Sequence, residues 1–499
     1  MPWAVRHYDT SRAQWGDWAE RIMNRPQQVS TVSKQRRAIG IALLNLSAWI
    51  RRQPWLKAMY RHFPARLRNR TSEVLVARAG QQLKFARTAG WAREPRPPEP
   101  VAAIAGGAHA GASGVNIFAY ARGQFGLAEG ARQYARALLA EGYPVAIHDI
   151  DIDIPHGMDD RSLDPHIGAE TPYGVNLIFV NPDYLEQATA SIGRERLGDR
   201  HTIACWFWEL EKFPDAWRHA LDRVDEVMVS TGFIRHAVAA VTDKPVWSAP
   251  LPIGQSPDSG LTRADFGLDE DDFIFLCSFD FNSYLARKNP RAAIDAFRRA
   301  FADRRPNVKL LVKSSNGHRH SEKLRVLLNA VGADERIIFR DDVIDREDLG
   351  ALQRCVDAYV SLHRAEGFGL GLAECMRLGK PAIATAWSGN MEFMTADNSC
   401  LVDYQLVPVG EGEYPHPEGQ CWAEANVDQA AELMRRLVED PGFAGRIGTR
   451  AAHDIRTRLS PHAAAQEIIR RIESRSSRAG IPPVAAVHSD GAGRWETAP

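Results

Sequence analysis

The residues best equipped for chemistry stand in one stretch, AYVSLHRAEGFGLGLAECMRLGKPAIATAWSGNMEFM, at 358–394. A buried strand ends at Leu362, a loop follows, and a helix is expected from Gly369 to Leu378. Gly379, Lys380 and Pro381 stop that helix. Gly367, Gly369 and Gly371 strip side chains from the loop and the first helical turn. Bare backbone N–H groups at a helix start, aided by the helix dipole, make a site for an anion. Glu366 precedes that start and Glu374 lies eight residues on. A carboxylate accepts hydrogen bonds from two hydroxyls, so two separated glutamates suit two sugar rings joined across one phosphate anchor. A glycine-rich turn with two surface glutamates would spell the same letters. The stretch is no Walker loop, because LGKP has proline where serine or threonine is needed. Nor is it a dinucleotide fingerprint, because GFGLGL lacks the third glycine.

Three other segments carry suitable side chains. FLCSFDFNSYLARKNP leaves a strand and enters a helix near Pro290, with Arg287 and Lys288 just before it. Basic residues at a helix start oppose the dipole, which favours a nearby anion. SGN at 388–390 follows the next strand. Ser388, Gly389 and Asn390 there are candidates for phosphate or sugar contacts, or Ser388 is a plain N-cap. CWFWELEKFPDAW, 205–217, ends a strand in aromatic and acidic residues. Trp208 and Glu209 suit a sugar, by stacking and by hydroxyl binding. Core packing of Trp206 and Trp208 is the equal alternative.

The 358–394 segment closely resembles the donor-site signature of retaining GT-B glycosyltransferases of the family-4 type, the glycosyl transferases of group 1. Their pattern, EGFGL..AE.M..GKP.IA, places two glutamates eight residues apart. Glu366, Phe368, Gly369, Leu370, Ala373, Glu374, Gly379, Pro381 and Ala384 fall into it. The resemblance covers about 115–460. It implies an α/β chain of GT-B architecture: two doubly wound, Rossmann-like parallel-sheet domains facing a cleft. It implies transfer of a sugar from a nucleoside diphosphate to a hydroxyl of a glycan or lipid-linked acceptor, with the anomeric configuration kept. Glu366 would hold the donor sugar, the amides of Gly369 and Leu370 the diphosphate, and Glu374 the ribose. Lys288 takes the place of the family's phosphate-binding lysine. Five residues earlier, where many members have arginine, stands Ser283, so the clamp is expected to be one lysine plus hydroxyl or amide donors. Arg287 is expected to point elsewhere. ARGQFGLAEGARQYARALLAEGYPVAIHD, 121–149, resembles the family's first glycine loop and helix. It puts Gly126 beside the sugars and Glu129 at the helix start, as a cap before a substrate contact. His363 is expected to be structural. The nucleoside-diphosphate sugar is the co-substrate; no further cofactor and no metal are implied. The overlapping DID runs at 149–151 and 151–153 are the nearest approach to a metal motif. A glycogen-type synthase or phosphorylase, or a non-catalytic sugar- or lipid-binding protein on the same fold, are the alternatives.

The elements that must position these residues read as two series. Apolar runs at 115–121, 145–150, 175–180, 201–208 and 225–230 alternate with helical stretches, the first over 128–141. A second series runs through 273–279, 308–313, 336–339, 358–362 and 381–385, with helices at 290–302, 321–331 and 346–355. Continuous apolar runs mark strands covered on both faces, and alternation with helices marks parallel sheets. LPIGQSPDSG, 251–260, reads as the connection. The expected units are a basic helical extension over 1–100, an acceptor domain over 101–255 and a donor domain over 256–460. A C-terminal helix over 461–475 and a disordered tail over 476–499 complete the division. Ligands bind at the carboxyl edges of such sheets.

Charge is uneven. Residues 1–98 hold 19 basic and 5 acidic residues, whereas the whole chain holds 62 of each. Such an arm suits an anionic surface, with membrane head groups favoured over nucleic acid. The longest apolar run, 38–50, is shorter than the roughly 20 residues a bilayer requires. It begins too late for a signal peptide. It either lies on a membrane or packs on the body. The six cysteines show no metal spacing and suit buried reduced thiols. The expected location is the cytoplasm, at the inner face of the cell membrane if the arm binds there.

Overall fold

The computed structural model describes residues 113–478 except 151, 153 and 155, together with positions 42, 45, 49, 53 and 83–85. Two parallel six-stranded sheets form its frame. The first contains β1 (Val115–Ala119), β2 (Val145–Asp149), β3 (Val175–Phe179), β4 (His201–Trp206), β5 (Glu226–Val229) and β6 (Val246–Ser248), in the order β2-β1-β3-β4-β5-β6. The second contains β7 (Phe273–Asp280), β8 (Val308–Ser315), β9 (Ile337–Asp341), β10 (Ala358–Ser361), β11 (Ala382–Thr385) and β12 (Cys400–Val402), in the order β12-β11-β10-β7-β8-β9. A hairpin of β13 (Tyr404–Pro408) and β14 (Cys421–Ala425) is appended.

Helices cover both faces of each sheet, which is why most strands are apolar without alternation. The first domain uses α1 (Gly126–Ala140), α2 (Pro182–Ile192) and α3 (Gly232–Ala239). The second uses α4 (Pro290–Ala300), α5 (Ser321–Val331), α6 (Arg346–Cys355), α7 (Leu370–Arg377), α8 (Val427–Glu439) and α9 (Pro441–Arg458). α10 (Pro461–Arg478) runs past the expected 475, and so past the start of the expected disordered tail. It returns to the first domain, where Ile468 and Ile472 are buried in the same core as Tyr134 and Leu138 of α1. Burying two isoleucines contributes about 1.5–3 kcal/mol each. Glu141 accepts from Gln466, and Arg471 donates to the buried Glu226 at 2.9 Å. The connection 251–260 has no regular structure, and Ile253 N–H donates to Leu459 O where the chain crosses back.

Most of the basic extension, including all of the apolar run 38–50 but positions 42, 45 and 49, and residues 479–499 lie outside the described residues. Within the extension, Leu83 and Phe85 are buried against the second domain. Phe85 meets Phe266 edge-on at 5.5 Å, and Lys84 pairs with Asp342 at 3.5 Å. At these three positions the arm packs on the body. Among the described residues no helix is long and apolar enough to cross a membrane.

Candidate active site

The carboxyl ends of both sheets open onto one cleft of about 1760 Å³. Its first-domain wall includes Gly126 and Glu129 of α1 and Phe207 and Glu209 beyond β4; its second-domain wall includes Ser283, Lys288, Glu366, Gly369, Leu370 and Glu374. The structure thus brings together segments that are hundreds of residues apart in sequence.

The 366–371 loop is built by close backbone approaches. Gly369 sits at φ +97°, a left-handed conformation that costs glycine little, and begins α7 without a side-chain cap. The N–H groups of Leu370, Gly371 and Leu372 at the start of α7 have no acceptor among the described residues. Behind the loop, Gly389 lies so near that an added Cβ would sit 2.0 Å from Gly367 O. Gly389 N–H donates to Glu366 O, and Glu366 N–H donates to Ser388 Oγ at 2.8 Å. The first domain holds the loop too, since Thr231 Oγ1 donates to Gly367 O at 3.0 Å.

Glu366 is buried between two cations. Lys288 Nζ donates to it at 2.6 Å and Arg287 at 3.2 Å. Burial opposes its ionisation, but Lys288 and Arg287 prevail and hold its pKa down at about 2. Arg287 also donates to Ala365 O and lies 3.6 Å from Glu209, which in turn accepts from Tyr414. This corrects the expectation that Arg287 points away. Leu285–Lys288 is a single helical turn between two positive-φ residues, Tyr284 and Asn289, so both basic side chains face the Glu366 loop. Ser283 lies on the cleft wall in the preceding turn.

Glu374 is held by Arg346 and by Gln353, whose Nε2 donates at 2.8 Å. Arg346 also reaches across the cleft to Glu129 at 3.3 Å. Glu129 accepts two hydrogen bonds from Arg132 and one from Gln133, so it is the hub of an ionic network and not a helix cap. Burial pushes the Glu129 pKa up, but Arg346 and Arg132 outweigh it and leave the carboxyl below the usual range. Arg346 and Gln353 were not singled out in the sequence. Arg346 opens α6, and a basic residue at a helix start opposes the dipole, which favours a nearby anion.

Several expected contacts lie elsewhere. Trp208 is 2% exposed and packs against Trp217 and Tyr414; its neighbour Phe207 lines the cleft instead. Ser388, Gly389 and Asn390 are not on the cleft wall. Asn390 is fully buried, beside His363 and donating to Thr385 O, so the SGN run supports the loop from behind. Burial lowers the His363 pKa, and its ring bridges Ser361 and Asn390, a structural position. Phe368 does line the cleft, with its ring packed on Phe393. Asp149 pairs with Arg122 at 3.4 Å, while Asp151 and Asp153 lie outside the described residues. Among the described residues no group of three potential metal ligands occurs.

Two doubly wound parallel sheets facing one cleft define the GT-B class. Residues 259–454, which span the second sheet and most of the helices around it, match the family model for glycosyl transferases group 1. No curated protein sequence matches the chain. The fold is shared with Anabaena Alr3699/HepE, solved in complex with UDP and glucose, at 15% identity and TM-score 0.53, over 73% of this chain and all of that one. It is shared with sucrose-phosphate synthase from Thermosynechococcus elongatus at 16% identity and TM-score 0.51, over 74% and 100%. A Rickettsia africae glycosyltransferase gives 12% identity and TM-score 0.52, over 74% and 98%.

Proposed function

We propose that the chain moves a sugar from a nucleoside-diphosphate donor to a hydroxyl of a glycan or lipid-linked acceptor, with retention of anomeric configuration. The observation that carries this reading is the start of α7. Its amides face the cleft without acceptors, between Glu366 and Glu374 and beside Lys288. The diphosphate is read onto those amides, the donor sugar onto Glu366, and the ribose onto Glu374. The UDP and glucose bound in the Anabaena protein support a nucleotide-sugar donor.

The demanding step is departure of the diphosphate from a carbon that gains positive charge. Preorganised amides and the Lys288 ammonium would stabilise the charge developing on the leaving phosphate. Glu366, held at a pKa of about 2 by burial overcome by Lys288 and Arg287, carries no proton at neutral pH. It therefore suits hydroxyl binding and not general-acid work. A leaving phosphate oxygen that takes the acceptor's proton on the same face would give retention without an enzyme nucleophile. The basic composition of 1–98 favours an acceptor at an anionic membrane surface, and hence a step in cell-surface polysaccharide or lipopolysaccharide assembly.

The test is incubation of purified protein with a panel of nucleotide sugars and membrane extract. Release of one nucleoside diphosphate, with product whose anomeric proton coupling matches the donor, is the expected result. No release from any donor refutes the transferase reading, and an inverted product refutes retention.

A further inference from the structure

The lysines and arginines on the cleft wall are paired, with one exception. Arg132, Arg161, Arg287, Lys288 and Arg346 each have a carboxylate partner. Lys313 is 7% exposed, lies on the cleft wall, and has no hydrogen bond or ion pair among the described residues. Three carboxylates act on it through space, but none is within 4.0 Å. Each is engaged elsewhere: Asp280 by Asn316 at 2.9 Å, Asp341 by Ser314 at 2.8 Å, and Asp342 by Lys84 at 3.5 Å. The side chain is enclosed but its ammonium is not among the buried unpartnered atoms: it opens onto the cleft, where it is free to take an anion from a ligand.

Its position names the ligand group. Lys313 lies on β8, two residues beyond Leu311, and so on the same face of the sheet. That face packs against Leu352 of α6, Tyr359 of β10 and Leu372 of α7. The residues around Glu374, Gln353 among them, stand on this side. β8 is separated by β7 from β10, about 10 Å sideways, and β10 feeds the Glu366 loop. Lys313 is therefore offset from Lys288 toward the α6 end, where the nucleoside is read.

We infer that Lys313 binds the donor's phosphate nearer the nucleoside, as a second cation of the diphosphate site distinct from Lys288. The inference rests on the nucleotide-sugar reading. An incoming phosphate oxygen gives the ammonium the direct contact it lacks, and the Ser283–Lys288 turn is left to deal with the far phosphate.

The experiment uses the full chain, Lys313→Met and Lys313→Arg. Affinities for UDP, GDP and ADP are measured by calorimetry. The monophosphate and nucleoside of the base that wild type binds are then measured by competition. Lys313→Met is expected to lose about tenfold or more affinity for both the diphosphate and the monophosphate. It should keep wild-type affinity for the nucleoside, and Lys313→Arg should recover much of the loss. Without ligand, Lys313→Met should melt no lower than wild type. Unchanged phosphate affinity overturns the inference, as does an equal loss for the nucleoside, which would make Lys313 a base contact. A lower melting temperature with unchanged affinity makes it a structural lysine. A wild type that binds none of the three diphosphates overturns the nucleotide-sugar reading itself, an outcome separate from failure of Lys313 alone.

Discussion

Replacing Glu366 with glutamine keeps the shape of the side chain and removes the charge that two cations surround. The carboxyl pKa stands at about 2 against an ordinary 4.5. Each unit of such a difference is worth 1.36 kcal/mol, so ionised Glu366 contributes about 3 kcal/mol at pH 7. Because the folded pKa is depressed, this contribution is present in full above the ordinary value and fades as pH falls through the folded one. At pH 3 the same relation leaves about 1 kcal/mol. Urea denaturation of wild type and Glu366→Gln, followed by circular dichroism, reads the difference at both pH values. The variant should be less stable by about 3 kcal/mol at pH 7, and the gap should narrow at pH 3. A variant as stable as wild type at pH 7 would refute the ion-pair geometry. A gap that does not change with pH would show that packing, not charge, is at stake.

Other substitutions probe neighbouring parts of the site. Glu374→Ala removes the carboxylate held by Arg346 and Gln353, and nucleotide affinity should fall about tenfold by calorimetry. Unchanged affinity would remove its ribose role. Lys288→Ala should lower kcat/KM by about a hundredfold in a nucleoside-diphosphate release assay, and full activity would dismiss the phosphate clamp. Gly389→Ala forces a methyl group against Gly367 O. It should cost about 2 kcal/mol or more and weaken nucleotide binding, with a wild-type melting temperature as the contrary result.

The two sheets were legible because parallel strands buried on both faces leave unbroken apolar runs, such as FIFLCSF and VKLLVK. Short or half-buried elements left no such mark. β6 is three residues long, and the β13 strand exposes Gln405, Leu406 and Pro408. The Glu366-to-Glu374 spacing was legible because one loop and one helix hold both residues. Side-chain direction at strand ends was not. Continuous apolar runs erase the alternation that would have separated inward Trp208 from cleft-facing Phe207. The turn of Arg287 toward Glu366 depends on positive φ values at Tyr284 and Asn289, and neither residue type announces them. Ser388 and Gly389 do bear on the site, yet they act through the backbone of the loop in front of them.

The central claim is that the bare start of α7 receives the diphosphate of an activated sugar. A crystal structure of the protein with the nucleoside diphosphate it binds best tests this most directly. Phosphate oxygens within hydrogen-bond reach of the Leu370 and Gly371 amides, and ribose hydroxyls on Glu374, are the expected result. A nucleotide bound away from the Glu366–Glu374 wall of the cleft would contradict the account.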